Sequence, residues 1–300
     1  MEVEKLENLR KKIKKNSIIG FIVVVIVNVI IAMVLRKSNI LPFKYYYVLL
    51  FTLAISAIIA SMFNNKYYNE YTTIYKNTFV LGALKDIFSD LKYNFDEGFE
   101  EEILEETDMI YLGDIYHSND YIEGKYKGIN FKSSDVHIKE EHETEDSDGN
   151  KKTEYVTIFF GRWFIFDFNK PFKADLCVTQ IPHMFRCYNK KYEKVKLEDE
   201  VFNKNFLVYA QNEHEAFYIL TPSFMEKLKE LSEKMGGHLM LCFTDSKLYI
   251  GLNNYKDAFE PDFHKKVNEE IIKNDIKNDI KIITDFIEKL DLDNDLFKEI

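Results

Sequence analysis

The chain of 300 residues is long enough for one or two domains. Its composition, 46% hydrophobic and 15% aromatic with 11 Gly and 5 Pro, is that of a folded protein and not of a disordered one. Residues 1–63 carry nine Lys or Arg against three acidic side chains, whereas the remainder carries 31 basic and 47 acidic side chains, a net charge of −16. A segment this acidic repels phosphate backbones, which argues against nucleic-acid binding.

The first predicted element is a membrane span. Ser17–Leu35 is nineteen residues without a charge, and as a helix it measures about 28 Å, close to the ~30 Å hydrocarbon core of a bilayer. Asn28 is its polar exception, and we expect that amide to face a neighbouring helix and not lipid. A cleavable signal peptide fits poorly, because Met33–Lys37 at its end offers no small-residue cleavage site.

A second, weaker span follows. Val48–Phe63 is sixteen residues, extended to nineteen by Tyr45–Tyr47, whose rings suit the head-group level. Ser56 and Ala60 are small residues four apart, the spacing that lets helices approach closely in lipid. These features predict a transmembrane hairpin. The alternative is that Ser17–Leu35 is the single span and the second segment is a buried helix.

Basic residues predict the orientation of this hairpin. Five Lys or Arg lie within Arg10–Lys15, against three in the connection Arg36–Lys44. The heavier cluster marks the cytoplasmic side, so we expect a multi-pass protein with both termini in the cytoplasm, in contact with the lipid bilayer through two helices. The full predicted organisation is a basic tail at 1–16, the hairpin at 17–63, a juxtamembrane helix at 64–93, a soluble α+β domain at 94–261 and an amphipathic helix at 262–300.

The first half of the soluble part changes from helical to strand periodicity. Lys66–Tyr93 has apolar residues at helical spacing, and a short acidic helix is predicted at Phe99–Glu106. From Tyr121 the period is two, which predicts an antiparallel meander with a bulge or bend at Gly161. Its predicted strands are 121–126, 128–138, 153–168 and 174–180.

The second half mixes short strands and helices. Strands are predicted at 194–197 and 206–210, a helix at 213–219, and a hairpin of strands at 238–243 and 247–252. Thr221 and Pro222 are a cap and a first-turn proline, so they begin a helix that Gly236 ends. Phe263–Leu290 carries an apolar stripe at helical spacing. The predicted fold class is therefore α+β: a two-helix transmembrane hairpin followed by a soluble domain with an antiparallel sheet and packed helices.

Three parts of the middle of the chain carry a resemblance: Asp120–Gly124, Ile158–Phe164 leading into Asp167–Lys170, and Phe206–Ala210 leading to Glu215–Pro222. They resemble the bacterial domain of unknown function 3137 family, over roughly residues 70–255 together with the paired upstream spans. The resemblance implies an uncharacterised membrane protein of the bacterial inner (plasma) membrane, in a group sometimes linked with LemA-type membrane proteins, so a LemA-type protein is an implied partner. It supplies no catalytic residue.

Candidate metal ligands are weak. His137 and His142 lie five apart on a predicted strand, which places them on opposite faces. Asp146, Asp148 and Asn150 resemble a calcium loop but fit a hairpin turn better, since the turn glycine comes too early. Asp291, Asp293 and Asp295 alternate likewise, but Leu296 stands where that loop needs a glycine. We therefore predict no metal, no cofactor and no catalytic residue.

Other chemistry is equally sparse. The aromatic run around Trp163 is predicted to be sheet core, with a ligand groove as the alternative, and Arg162 is expected to reach solvent or an acidic partner. Cys177, Cys187 and Cys242 are odd in number and form no CxxC pair, which favours reduced thiols in a reducing compartment. Nucleotide, P-loop, serine-hydrolase and zinc-protease signatures are absent from the sequence.

The leading functional hypothesis is a membrane-tethered cytoplasmic binding or scaffold module that binds a protein partner. Its support is the tether, the acidic domain, an exposed amphipathic C-terminal helix and the missing chemistry. An alternative is a membrane-associated hydrolase or transferase with an unrecognised site, since active-site groups are set by space and not by sequence order. A third is a sensor that relays a signal through the Lys66–Tyr93 helix.

Overall fold

The computed structural model describes residues 2–37, 42–145, 151–168, 175–181 and 192–292. They fall into two units. The helical unit comprises Met1–Gly82 with Glu260–Asn274, and the sheet unit comprises Ala83–Phe259 with Asp275–Ile300.

Two long helices make up most of the helical unit. Helix α1 spans Glu2–Lys37 and α2 spans Pro42–Ile74, continuing as a π-helical segment at Tyr75–Val80 and a short helix α3 at Leu81–Lys85. The rings of Tyr68 and Tyr71 each lie 4.8 Å from the ring of Phe263. The N-terminal turns of α1 are anchored by Leu6, Leu9 and Ile13, which are all buried.

Within the described residues, α1 is the helix long and apolar enough to cross a membrane, with a mean hydropathy of 3.0 over its best window. Most of its large apolar side chains from Ile18 to Val34 are exposed, with Val24 as a buried exception. The predicted second span, Val48–Phe63, lies inside α2, where several side chains fall outside the described set. The two paired helices are therefore present, but among the described residues only α1 is shown to be long and apolar enough to span a membrane.

Asn28 faces the neighbouring helix, as predicted. Thr52 Oγ1 of α2 donates to Asn28 Oδ1 at 2.7 Å, and Asn28 Nδ2 donates to the Val24 carbonyl at 2.8 Å. At the other end of the paired segments, Asn64 Nδ2 donates to Ser17 Oγ at 2.9 Å. Hydrogen bonds therefore join α1 to α2 at two levels.

The predicted helix Lys66–Tyr93 is wrong in its last turns. Helix α3 ends at Lys85, and Ser89–Asn94 is strand β1, paired antiparallel with β2. Only one apolar residue of the helical pattern, Leu91, lies within Ser89–Asn94, and a single apolar residue fits a strand as well as a helix. Backbone pairing with the neighbouring strand decides it, aided by the left-handed conformation of Asp90 at φ 51°.

The sheet unit is built on a nine-stranded sheet in which all described pairs are antiparallel, in the order β1-β2-β3-β4-β9-β8-β5-β7-β6. The predicted meander is confirmed for its first three strands, which are neighbours as β2, β3 and β4. It is wrong for the fourth, because β5 lies between β8 and β7 and β4 pairs with β9 instead. The remaining strands are β2 Ile115–Tyr126, β3 Ile129–Glu145, β4 Lys151–Asp167, β5 Leu176–Thr179, β6 Glu193–Val195, β7 Leu207–Ala210, β8 His238–Thr244 and β9 Lys247–Asn253.

Gly161 serves a close approach instead of the predicted bulge. The irregularity in the β3–β4 pairing falls between Ile138 and Lys139, beyond the Val136 that faces Gly161. At Gly161 an added Cβ would lie 2.0 Å from the carbonyl oxygen of Leu252 on β9. Glycine is therefore needed where β4 begins to pair with β9.

Short helices connect the strands. Three were predicted, namely α4 Glu101–Glu105, α6 Glu213–Ile219 and α7 Pro222–Met235, whereas α5 Glu200–Asn205 was not. Thr221 Oγ1 accepts from the Phe224 amide at 3.2 Å, and Gly236 ends α7 in the left-handed conformation at φ 64°. The predicted cap and stop residues are thus both confirmed.

Helix α8 spans Glu269–Lys289 and begins six residues later than predicted. Asn268 Oδ1 accepts from the amides of Glu270 and Ile271, which makes Asn268 the cap and leaves Phe263 outside the helix. Its apolar stripe is not free for a partner. The buried members of that stripe in the sheet unit are Ile276, Ile280, Ile283, Phe286 and Ile287.

Strand β4 supplies both faces of the core. Trp163 and Ile165 join a buried cluster with Phe99, Met109 and Tyr249 on one face. The intervening side chains point to the opposite face because strand residues alternate.

On that opposite face, the sheet packs against α8. The ring of Phe286 lies 5.0 Å from Phe164 and 6.3 Å from Phe166. Arg162 is two residues before Phe164 and therefore points to the same side, where the apolar packing gives way to a polar cavity.

Candidate functional site

A buried ion pair lies on the α8 side of the sheet. Asp135 of β3 and Arg162 of β4 are directly opposite each other in the strand register, and they are 1% and 2% exposed. Opposed residues of antiparallel strands share a face with their Cβ atoms about 5 Å apart, so the register alone brings this pair together. Charged side chains are rarely buried this completely without a reason in packing or function.

The pair is held by several donors. Arg162 Nε donates to Asp135 Oδ1 at 2.8 Å and Arg162 Nη2 donates to Oδ2 at 3.3 Å. The amide of Ala258 also donates to Oδ2, at 2.8 Å. The guanidinium carbon lies 4.5 Å from the ring centre of Phe259. Both the position and the plane of the Arg162 side chain are therefore set by its neighbours.

Burial raises the pKa of the Asp135 carboxyl, and the Arg162 guanidinium opposes that shift because it favours the charged carboxylate. Three donors converge on the two Asp135 oxygens, which fits the ionised form. Burial lowers the pKa of the Arg162 guanidinium, but Asp135 more than offsets this and leaves that pKa raised, so Arg162 stays protonated.

One nitrogen of this pair has no acceptor among the described residues. Arg162 Nη1 is buried and makes no hydrogen bond. Since a guanidinium carries two N–H groups on each terminal nitrogen, two donors are left unused beside a fully engaged carboxylate.

A cavity of about 440 Å³ opens next to the pair. It lies between the sheet, the end of α7, the segment after β9 and helix α8. Its charged lining is balanced, with four acidic and four basic side chains. The lining residues are Asp135, Arg162, Lys234, Met235, Asn254, Lys256, Asp257, Ala258, Asn278, Asp279, Lys281, Ile282 and Asp285.

Two lysines share one carboxylate on the α8 side of the cavity. Lys281 Nζ donates to Asp285 Oδ1 at 2.9 Å, and Lys234 Nζ of α7 donates to Oδ2. Burial raises the pKa of Asp285, but the two ammonium groups outweigh it and hold that pKa below its ordinary value. This trio carries a net charge of +1.

Asp279 is the cavity carboxylate with the opposite behaviour. Burial raises its pKa above the ordinary value, although the Phe259 amide and Arg162 favour its charged form. The Phe259 amide donates to Asp279 Oδ2 at 2.9 Å. The cavity therefore holds two carboxyls, Asp135 and Asp279, whose pKa is raised by burial.

His137 and His142 were weighed as metal ligands and judged a poor pair. His137 Nε2 lies 3.2 Å from Thr157 Oγ1 and its ring stacks on Phe160, while burial lowers its pKa. His142 is exposed and lies 3.0 Å from Glu140. The two histidines thus have separate partners.

The acidic runs that were weighed as calcium loops and rejected lie mostly outside the described residues. Asp146–Asn150 lies outside the described residues, as do Asp293 and Asp295. Asp291 pairs with Lys227 of α7.

Trp163 is fully buried, and its ring centre lies 5.7 Å from that of Phe159, which confirms the core prediction over the groove alternative. Arg162 was expected to reach solvent or an acidic partner, and the structure shows the second of these, with Asp135 as the partner. The place of Arg162 inside an apolar run was the sequence signal for this site. The cavity partners on α7 and α8 carried no signal, because they come from segments 70 residues and more away along the chain.

Two of the three cysteines meet across the sheet. Cys177 of β5 and Cys242 of β8 are opposed in register, fully buried and not joined by a disulfide, with their Sγ atoms 3.2 Å apart. Cys187 lies outside the described residues. The sequence spacing of 65 residues gave no indication of this pair.

Residues 157–292 match the family described as Protein of unknown function (DUF3137). The resemblance found in the sequence is confirmed over this segment, which runs from β4 to the end of α8 and includes Arg162. The stretch Asp120–Gly124 and the apolar helices lie outside the matched residues. No curated protein matches the chain.

A solved structure similar to this chain is the crystal structure of the mycobacterial trehalose monomycolate transport factor A, TtfA. The identity is 6%, the alignment covers 70% of this chain and 93% of that one, and the TM-score is 0.36. A similarity at that level supports no inference about function.

Proposed function

We propose that this chain is a membrane-anchored binding or scaffold module, in which α1 is the anchor and the sheet unit does the binding. The observation that carries the anchor is the exposure of the apolar helix: Phe21 is 69% and Met33 is 66% exposed. Exposed apolar surface costs roughly 25 cal/mol per Å² in water, so a continuous row of such side chains is stable in lipid and not in buffer.

The finer proposal is a hairpin in the inner membrane of a bacterial cell, with both termini in the cytoplasm. It is supported by the hydrogen bond between Thr52 and Asn28, since a polar pair inside an apolar segment is satisfied by a second helix. The basic cluster Arg10–Lys15 favours the cytoplasmic side for the N-terminus.

Engineered cysteines test this topology. Ser38→Cys in the connection between the helices and Glu213→Cys on the exposed surface of α6 are made separately in a Cys187→Ser background. A membrane-impermeant maleimide on intact cells (spheroplasts if an outer membrane is present) is expected to label the first and spare the second until lysis. Cys177 and Cys242 are too buried to report on topology. Equal behaviour of the two engineered sites contradicts the hairpin, because a single span places both on one side.

The binding partner we propose is a membrane protein, for which a LemA-type protein is one candidate. The apolar face of α8 is packed against the sheet, so the partner surface lies elsewhere on the module. Crosslinking in native membranes followed by mass spectrometry is the direct test. Recovery of crosslinks to lipids alone, with no protein neighbour above the level of an unrelated membrane protein, contradicts a scaffold role.

A second function is favoured by one observation, the cavity with two carboxyls of raised pKa, an arrangement common at enzyme active sites. Asp279 is the group for such a role, because the oxygens of Asp135 are engaged by Arg162 and Ala258. Incubation with a small-molecule cell extract, followed by mass spectrometry, separates the two functions. A compound consumed by the native chain and spared by Asp279→Asn supports an enzyme. Unchanged extract supports a binding module.

A further inference from the structure

We propose that the cavity beside Arg162 binds a small organic carboxylate, held by the Nη1 atom of Arg162. This names a ligand class for the binding function proposed above and rests on the sheet unit acting as a binding module. The argument uses the locked guanidinium, the unused donors, the charge balance of the lining and the size of the cavity.

Arg162 is preorganised for an acceptor. Asp135 holds Nε and Nη2, the Ala258 amide holds Asp135, and the Phe259 ring covers the guanidinium. A donor fixed in this way loses no side-chain freedom when a ligand arrives, which favours binding. Nη1 is left buried without an acceptor, and such a donor costs free energy until an acceptor reaches it.

The charges of the lining favour a ligand with one negative charge over a dianion, because the lining has no net charge of its own. Asp135 is neutralised by Arg162, while Asp285 is shared by Lys234 and Lys281 and leaves that trio at +1. A carboxylate is attracted to this trio and to Arg162, and it presents two acceptor oxygens to a guanidinium. A dianionic phosphate is disfavoured, because Asp257 and Asp279 also line the cavity and would repel it.

Asp257 and Asp279 also favour a ligand that carries a hydrogen-bond donor. Asp257 and Asp279, with the amide groups of Asn254 and Asn278, can accept from an ammonium or hydroxyl group. A volume of about 440 Å³ lies within the roughly 300–1,000 Å³ range of small-molecule sites. Amino acids and small hydroxy acids have this combination of carboxylate and donor.

The test uses the full chain in detergent micelles and ligand-observed NMR. The probes are an equimolar mixture of the twenty free amino acids, lactate, and the methyl esters of the same acids. We expect saturation transfer to at least one free acid, with a signal about tenfold weaker for its ester, which lacks the charge that Arg162 recognises.

Two variants locate the site. Arg162→Met combined with Asp135→Asn removes both charges, while the new amide side chain at position 135 keeps an oxygen that accepts from the Ala258 amide, and binding is expected to be lost. Lys256→Gln changes the rim of the cavity and is expected to weaken binding severalfold. Lys229→Gln is the matched control, since Lys229 pairs with Asp199 away from the cavity, and its binding is expected to be unchanged.

The outcomes separate clearly. Absence of saturation transfer to every free acid, or equal binding by the double variant, overturns the proposal. If the double variant does not fold, Lys256→Gln and the ester comparison decide in its place. The proposal is then overturned if Lys256→Gln binds as the native chain does and the esters give the same signal as the free acids. A chain that behaves as an integral membrane protein and binds no carboxylate contradicts this inference while leaving the membrane anchor intact.

Discussion

At the scale of single residues, the buried pair of Arg162 and Asp135 is the most consequential feature of the sheet unit. Two charges this deep are stable because each satisfies the other and the Ala258 amide completes the set. Removing one partner leaves an uncompensated charge, whereas removing both avoids that cost.

We therefore expect Arg162→Met alone to lower the free energy of unfolding by about 3–5 kcal/mol. The double variant with Asp135→Asn is expected to lose less than the single variant, because no unpaired charge remains. Urea denaturation followed by fluorescence of Trp163 measures both. A double variant less stable than Arg162→Met would contradict the account of a charge-balanced pair.

Asp279 gives a pH-dependent prediction. Its pKa is raised in the folded chain by burial, so its ionisation destabilises the fold above the folded pKa, and this effect is absent below the ordinary pKa of an aspartate. Asp279→Asn keeps an oxygen for the Phe259 amide and removes the charge. We expect it to raise the melting temperature at neutral pH and to leave it nearly unchanged under acid conditions.

Melting curves of the two proteins across the acid-to-neutral range measure this difference. Asp285→Asn is the contrasting variant, because the pKa of Asp285 is lowered and its stabilisation is lost as pH falls. A gain at neutral pH for Asp285→Asn, or a loss for Asp279→Asn, would show that the signs are reversed.

The facing cysteines give a chemical prediction. Cys177 and Cys242 are opposed across β5 and β8 with 3.2 Å between their sulfur atoms, which places them within reach of a disulfide. In a Cys187→Ser background, diamide is expected to join them during slow equilibration, since both are buried and oxidise when the strands open. Non-reducing peptide mapping detects the linked peptides, and Cys242→Ser is the control. Persistent free thiols after unfolding and refolding in oxidant would contradict the pairing.

At the scale of elements, α8 is a core helix of the sheet unit. Its residue Phe286 is fully buried against Phe164 and Phe166, so the helix closes one face of the sheet and also lines the cavity. A helix in this position can couple occupancy of the cavity to the stability of the sheet.

Phe286→Ala is expected to lower the free energy of unfolding by about 3–5 kcal/mol, the usual cost of emptying a buried aromatic site. Ile271→Ala, on an exposed position of the same helix, is expected to change it by less than about 0.5 kcal/mol. Chemical denaturation of both variants gives the comparison. Equal effects at the two positions would mean that α8 is not packed as described.

At the scale of the whole molecule, the chain divides into a helical unit with an exposed apolar helix and an acidic sheet unit. Most large apolar side chains of α1 from Ile18 to Val34 are exposed, whereas those of its N-terminal turns are buried. In plain buffer such a surface associates with other copies or with detergent, because water does not solvate it favourably.

The full-length chain is therefore expected to require detergent to remain monodisperse in size-exclusion chromatography. A matched chain with Phe21, Val25 and Met33 changed to Asn is expected to need less detergent, since its apolar row is interrupted. A native chain that elutes as a single sharp monomer without detergent would remove the basis of the membrane anchor.

Local features of the chain were enough to predict much of the fold. The apolar helix, the antiparallel meander and the start and stop of α7 follow from charge-free length, period-two alternation and capping residues, all of which act over a few neighbouring positions. The contact of Asn28 with a neighbouring helix was also predictable, because an amide in an apolar span needs a polar partner.

Tertiary structure decided the rest. The end of α3 and the identity of β1 depended on pairing with β2, and the burial of α8 depended on the sheet face that receives it. The cavity joins residues of β3, β4, α7 and α8, which are up to 150 residues apart in the sequence. Contacts between segments this distant arise when the sheet closes, so no local pattern in the sequence encodes them.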